Sequence, residues 1–180
     1  MNDYHFVTHW KFIACCEEVY KILEDVENLS IWWPSVYLDV RIIHCGSVDD
    51  NGKVVELLTK GWLPYLLRWK FKVIESNYPH GFTIEAFGDF VGTGIWSIDP
   101  STDAGYCNVI YDWNIQAEKP LLRKFSWLFK PLFAANHKWA MKKGEENLKL
   151  EILRRKNKIK VPLPECPTFL HNVLKLKLVG

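Results

Sequence analysis

The chain has 180 residues, about one domain by the usual length prior. With 48% hydrophobic and 24% charged residues it has a globular composition, which excludes a disordered or membrane-embedded chain. A formal charge of +2 gives no basis for nucleic-acid binding.

Tyr4 to Ala14 alternates loosely and is rich in Phe, Val, Thr, Trp and Ile, which predicts a strand. Cys15 to Val26 changes period: Val19, Ile22, Leu23 and Val26 fall at helical spacing, and Glu17 and Glu18 stand where a helix dipole favours acids. Asn28 to Trp33 predicts a second short helix, ended by Pro34. From Val36 the period returns to two, through Leu38, Val40 and Ile42. Asp49-Asp50-Asn51-Gly52 is a hairpin signal, and Lys53 to Lys60 the strand after it.

Gly61-Trp62-Leu63-Pro64 breaks that strand. Leu66 to Ser76 follows, with Leu67, Trp69, Phe71 and Val73 on one face and Arg68, Lys70 and Lys72 on the other. Two more strands, Phe82 to Phe90 and Gly92 to Asp99, meet at a short corner, and Tyr106 to Ala117 is the last strand. Pro120 suits the first turn of a helix. Helical spacing then runs to about Arg154, with Pro131 expected to kink or split it. Some thirty helical residues would span roughly 45 Å. A proline-punctuated linker, Val161 to Pro167, leads to an apolar, basic end segment, Thr168 to Val179. The order is strand, two short helices, six strands in an antiparallel meander, then a long helix covering the apolar face of the sheet.

That order resembles the helix-grip fold of the START-like, or SRPBCC, superfamily, with its polyketide cyclase/dehydrase-like members. Trp32-Trp33-Pro34 is similar to the superfamily's W-W-P signature. Asn136-His137-x-Trp139-Ala140-Met141-x-x-Gly144-Glu145-x-x-Leu148 is similar to its terminal-helix segment. The resemblance covers roughly residues 4–154. It implies an α+β fold, in which a strongly curved antiparallel seven-stranded sheet wraps a long C-terminal helix in the order β-α-α-β6-α. It also implies a deep apolar cavity between sheet and helix. Members bind lipids, sterols, polyketides or hormones, and a minority are cyclases or hydrolases. Function lives in the site rather than in the fold, so the resemblance does not choose among them.

The aromatic content, nine Trp, seven Tyr and ten Phe, suits a lined cavity. Residues i and i+2 of a strand share a face. Tyr111 and Trp113 are therefore expected to point inward with Trp96 and Ile98 and with Trp69 and Phe71. Phe133 and His137 of the long helix complete the expected ligand-binding set. In an enzyme, His137 or Tyr111 would be the acid/base candidates, since histidine titrates near neutrality; packing is the plainer role for each. Gly92-Thr93-Gly94 lacks the third glycine and following helix of a dinucleotide loop, and reads as a sheet corner. Gly144, costing about 1 kcal/mol in a helix, implies close approach of the helix backbone to the sheet. Glu56, Glu85 and Asp112 have no spacing that demands an acid–base pair. The apolar loop Gly61 to Leu66 could gate a cavity mouth, touch a membrane, or form a buried corner.

Five cysteines, Cys15, Cys16, Cys45, Cys107 and Cys166, include no C-x-x-C, so no disulfide framework and no metal site is expected. No cofactor is expected either. The N-terminus lacks a signal-peptide pattern and no apolar run reaches the length of a membrane span, so a reduced, cytoplasmic setting is the default. The division expected is a helix-grip domain, 1–154, and a basic tail, 155–180. From Arg154 onward seven Lys and Arg stand against Glu165 alone, so the rest of the chain is net acidic. The tail could dock on its own body or a second subunit, lie on an anionic membrane surface, or remain disordered. The partner expected is a hydrophobic small molecule, such as a lipid, a fatty acid or a polyketide-like compound. Nucleic acid is not expected, and the oligomeric state is left open.

Overall fold

A computed structural model describes residues 3–118, 126–157, 161, 162 and 164. Strand β1 (Asp3–Phe12) is followed by helix α1 (Cys16–Leu23), a 3-10 turn (Val26–Asn28) and helix α2 (Leu29–Trp32). Six strands come next: β2 (Tyr37–His44), β3 (Val54–Thr59), β4 (Leu67–Asn77), β5 (Gly81–Gly88), β6 (Phe90–Pro100) and β7 (Cys107–Ala117). Helix α3 (Ser126–Asn157) closes the sequence of elements. The expected start at Pro120 lies outside the described residues, as does the segment Thr168 to Val179.

The seven strands form one antiparallel sheet in the order β1-β7-β6-β5-β4-β3-β2. Neighbours in sequence pair directly, because short turns favour hairpins. The single long connection lets β1 close on β7, with Tyr4 opposite Ile115 and Trp10 opposite Val109. This is the α+β helix-grip architecture. Alternation decides the faces: Val109, Tyr111, Trp113 and Ile115 of β7 are buried, as are Leu67, Trp69, Phe71 and Val73 of β4. On the outer face Asp112 pairs with His5 at 2.9 Å and Glu56 with Lys70 at 3.4 Å, and Glu85 is exposed. These carboxylates stand away from the interior.

The structure answers two open points, the place of a sheet corner and whether Pro131 splits the long helix. The corner between β5 and β6 falls at Asp89 rather than beyond Phe90, and the Asp89 carboxylate accepts the Arg68 N–H at 2.8 Å. Pro131 neither ends nor splits α3, which is one helix of 32 residues. Pro131 is the sixth residue of the helix, beyond the first four N–H groups that lack intrahelical partners, so it forgoes one intrahelical hydrogen bond without ending the helix. Phe133 packs against Tyr4 and Phe90, at centroid distances of 4.5 and 5.9 Å, which anchors the turn that follows the proline.

The far end of α3 is tied to α1 by charge. Arg155 reaches Asp25 at 2.7 Å and Glu151 at 2.9 Å, and Lys156 reaches Glu18 at 2.9 Å. Cations in a last helical turn also complement the helix dipole. Arg154, Arg155 and Lys156, counted with the basic tail on sequence grounds, are thus paired with acids of the folded body. No helix of the described residues is long and apolar enough to cross a membrane.

Candidate functional site

Between the inner face of the sheet and the first half of α3 lies a partly enclosed cavity of about 80 Å³. Its apolar wall comes from Trp69, Phe90, Trp113 and Phe133, with Trp33, Ala140 and Met141. Its polar groups come from Tyr37, Thr59, Lys60, Tyr111, Asn136 and His137. By the measure in which one water needs about 10–15 Å³, several waters fit. That is well below the roughly 300–1,000 Å³ of drug-sized ligand sites.

Five of the eight residues expected to bind ligand stand in this wall: Trp69, Tyr111, Trp113, Phe133 and His137. Phe71, Trp96 and Ile98 do not. They are buried outside it. Trp96 stacks on Tyr111 at 4.0 Å with rings 17° apart, so Tyr111 screens it from the cavity. Phe71 faces the space beside Tyr20, Leu23 and Phe82. Strand alternation sorts inside from outside, but not the cavity end of the interior from its packed end.

Glycines make room for this wall. A Cβ on Gly94 would stand 2.7 Å from the Trp113 indole and 2.8 Å from the Tyr111 hydroxyl. Gly92, at φ +149°, would bring a Cβ within 2.2 Å of the Asn114 carbonyl oxygen. The Gly92-Thr93-Gly94 run is therefore a sheet feature, as its sequence context suggests.

His137 sits on the inner face of α3 with its ring stacked on Phe6 at 4.2 Å. Its Nε2 is buried and has no hydrogen-bond partner, and burial lowers its pKa to about 4. The imidazole is therefore neutral at pH 7, and a buried unsatisfied polar atom is an exception that calls for a reason. Trp33 Nε1, in the same wall, is likewise buried and unpaired. The indole of Trp69 is satisfied instead, donating from Nε1 to Thr59 Oγ1 at 3.0 Å. Burial pushes the Tyr111 and Tyr37 hydroxyls well above the usual tyrosine range, so both stay protonated.

Lys60 is the residue that sequence reading missed. It follows the last residue of β3, where alternation after Thr59 would aim it outward. Here the strand stops, Gly61 turns the chain, and Lys60 is 1% exposed in the cavity wall. Desolvation lowers its pKa to about 8. A lysine next to a strand-breaking glycine was the available signal.

The loop after Lys60 is fastened to α3. Asn136 Oδ1 accepts the Leu63 N–H at 3.1 Å, and the Asn136 amide lies flush on Gly61, where a Cβ would meet Oδ1 at 2.1 Å. The apolar loop Gly61 to Leu66 is therefore a docked corner over the cavity.

No group of three or more His, Cys, Asp or Glu among the described residues is arranged to hold a metal ion. Cys15, Cys16, Cys45 and Cys107 are free thiols; Cys166 lies outside the described residues.

No family model matches the chain, and no curated protein sequence matches it. Solved structures do. A Thermus thermophilus protein shares 15% identity at a TM-score of 0.68, over 86% of this chain and 100% of that one. The Zhui aromatase/cyclase from a Streptomyces species shares 14% identity at 0.68, over 85% and 95%. A norcoclaurine synthase from Thalictrum flavum, in complex with a transition-state analogue, shares 14% identity at 0.58, over 86% and 97%. At these identities the likeness establishes the fold alone: this chain has a helix-grip fold.

Proposed function

We propose that the chain binds a hydrophobic small molecule in the cavity between the sheet and α3. The observation that carries this reading is the buried, unpartnered Nε2 of His137 in a wall rich in aromatic rings. A ring wall with a few polar atoms aimed inward is the usual make-up of a small-molecule site. Burying apolar ligand surface would supply affinity at roughly 25 cal/mol per Å². The polar atoms would set orientation. A lipid, fatty acid or polyketide-like compound would exceed the cavity as it stands. Entry of such a ligand would require the Gly61–Leu66 loop to release Asn136. Two of the similar folds are described as an aromatase/cyclase and a synthase, which agrees with small-molecule handling in this architecture.

Native mass spectrometry of freshly purified protein, with organic extraction of anything released, tests the reading. A stoichiometric apolar adduct is expected. A clean apo mass, together with no binding of any apolar probe, would overturn it.

A second reading has its own support. Lys60, Tyr111 and His137 meet in one cavity, which is the convergence of ionisable groups that a cyclase- or dehydrase-type enzyme would need. His137, neutral at pH 7, would act there as a hydrogen-bond partner rather than as a strong base. The membrane-peripheral alternative rests on the basic tail, of which only residues 155–157, 161, 162 and 164 are described.

A further inference from the structure

We propose that β1 is the edge at which two copies of this chain pair, antiparallel and two-fold symmetric about Val7, so that the two sheets become one. The proposal is independent of what the cavity binds.

The first argument is that the two edges of the sheet are built differently. An edge strand presents unpaired N–H and C=O groups, and proteins guard such edges with bulges, charged side chains or proline. The β2 edge is guarded. Its register with β3 shifts between Tyr37 and Asp39 and again between Ile42 and His44. Asp39 and Arg41, paired at 2.9 Å, stand between the two shifts. The β1 edge is open. Its register with β7 runs from Asp3 to Phe12 without a shift. Tyr4 to Trp10 contain no Lys, Arg, Asp, Glu, Pro or Gly. Among the described residues, the backbone of β1 bonds only to β7.

The second argument is self-complementarity. In an antiparallel pair centred on Val7, Val7 meets Val7 of the second copy, Phe6 meets Thr8, His5 meets His9, Tyr4 meets Trp10 and Asp3 meets Lys11. Aromatic pairs, aromatic–β-branched pairs and opposite charges are combinations that stabilise cross-strand neighbours. Asp3 and Lys11 supply the charge complementarity at both ends of the strand. Lys11 bonds to Asp103 of its own chain, and an ammonium has further donors for Asp3 of the second copy.

The third argument is exposure. Val7, on the outer face, is 49% exposed at the middle of the strand. On the inner face Phe6 and Thr8 are half-buried, whereas Tyr4 and Trp10 to either side are buried. The interior is therefore least covered at the middle of this edge. A second copy would cover Phe6, whose ring stacks on His137 at 4.2 Å, and with it the flank of the cavity. With β2 guarded, pairing through β1 stops at two copies rather than running on as a fibre.

Sedimentation equilibrium of the full chain tests this, up to about 100 μM, where a micromolar complex is largely formed. The wild-type chain should reach twice the chain mass. Val7→Lys and Val7→Glu each set two like charges directly opposite, and each should raise the dimer dissociation constant at least about tenfold. An equimolar mixture of the two variants should recover the dimer, since Lys then faces Glu across the pair; recovery also reports that both are folded. Arg41→Glu, on the other edge, should leave the dimer unchanged. A wild-type chain that stays monomeric would overturn the proposal. So would a dimer that survives both Val7 variants, or one that Arg41→Glu dissociates. Val7 variants that melt cooperatively yet stay monomeric when mixed would overturn it as well, because they would exclude the register about Val7.

Discussion

The indole of Trp33 lies directly on the backbone of Gly144, so that a Cβ there would stand 2.3 Å from Trp33 Cζ2. The residue after α2 and the middle of α3 are thereby locked together. The sequence reading expected close approach at Gly144 but assigned it to the sheet; the partner is Trp33. Trp33 has no room to swing, being packed against Trp10, Trp32 and Tyr37 at centroid distances of 5.9, 5.4 and 5.1 Å.

Gly144→Ala should therefore destabilise the fold although alanine is the better helix former. Helix propensity contributes about 1 kcal/mol in its favour. Overpacking a rigid site costs about 1–3 kcal/mol. The expected net loss is up to about 2 kcal/mol in chemical denaturation. A gain in stability would show that Trp33 can give way.

Gly61 and Asn136 should behave as a coupled pair. Gly61→Ala drives a methyl into the Asn136 amide, and Asn136→Ala frees that space but leaves the buried Leu63 N–H without its acceptor. Each single variant should lose about 1–3 kcal/mol. The double variant should lose less than their sum, by at least about 0.5 kcal/mol. Strict additivity in the cycle would mean that the loop is not held by this contact.

His137 should make the protein acid-sensitive. Its pKa is about 4 when folded, against 6.5 as the ordinary value. Between those pH values the unfolded chain binds a proton that the folded chain does not, so stability falls as pH falls. The contribution is present in full above pH 6.5 and is lost down to about pH 4, by up to about 3 kcal/mol. Urea midpoints measured from pH 7 to 4.5 should drop less steeply for His137→Asn. Parallel curves for the two proteins would contradict the buried neutral imidazole.

Lys60 should give the same sign at the alkaline end. Its folded pKa of about 8 lies below its ordinary 10.5, so the unfolded chain is again the better proton binder. Its desolvation cost is carried in full below pH 8 and is relieved as pH rises toward 10.5. Lys60→Met should therefore flatten the rise in stability between pH 8 and 10.5. Urea midpoints that rise in parallel for the two proteins over that range would contradict the lowered lysine pKa.

Element order and strand faces were legible because period two and period 3.6 are written locally, as in Val109 to Ile115 and Leu67 to Val73. Boundaries were less so. The corner at Asp89 depends on a hydrogen bond to Arg68, 21 residues away in sequence. The continuity of α3 through Pro131 depends on Phe133 finding Tyr4 and Phe90. Of the candidate site, the residues on regular strands and on α3 could be placed inside. Which of them reach the cavity could not, since Trp96 is screened by a ring from another strand.

By itself the sequence determined an α+β chain in which a meander of strands is covered by a long terminal helix, because side-chain periodicity and turn residues act over a few positions. Only the tertiary structure decided that Lys60 faces inward, that Trp33 rests on Gly144, and that Asn136 holds the loop at Gly61. Each of those depends on residues dozens of positions apart meeting in a close-packed interior, where a single Cβ more or less decides whether two segments can touch.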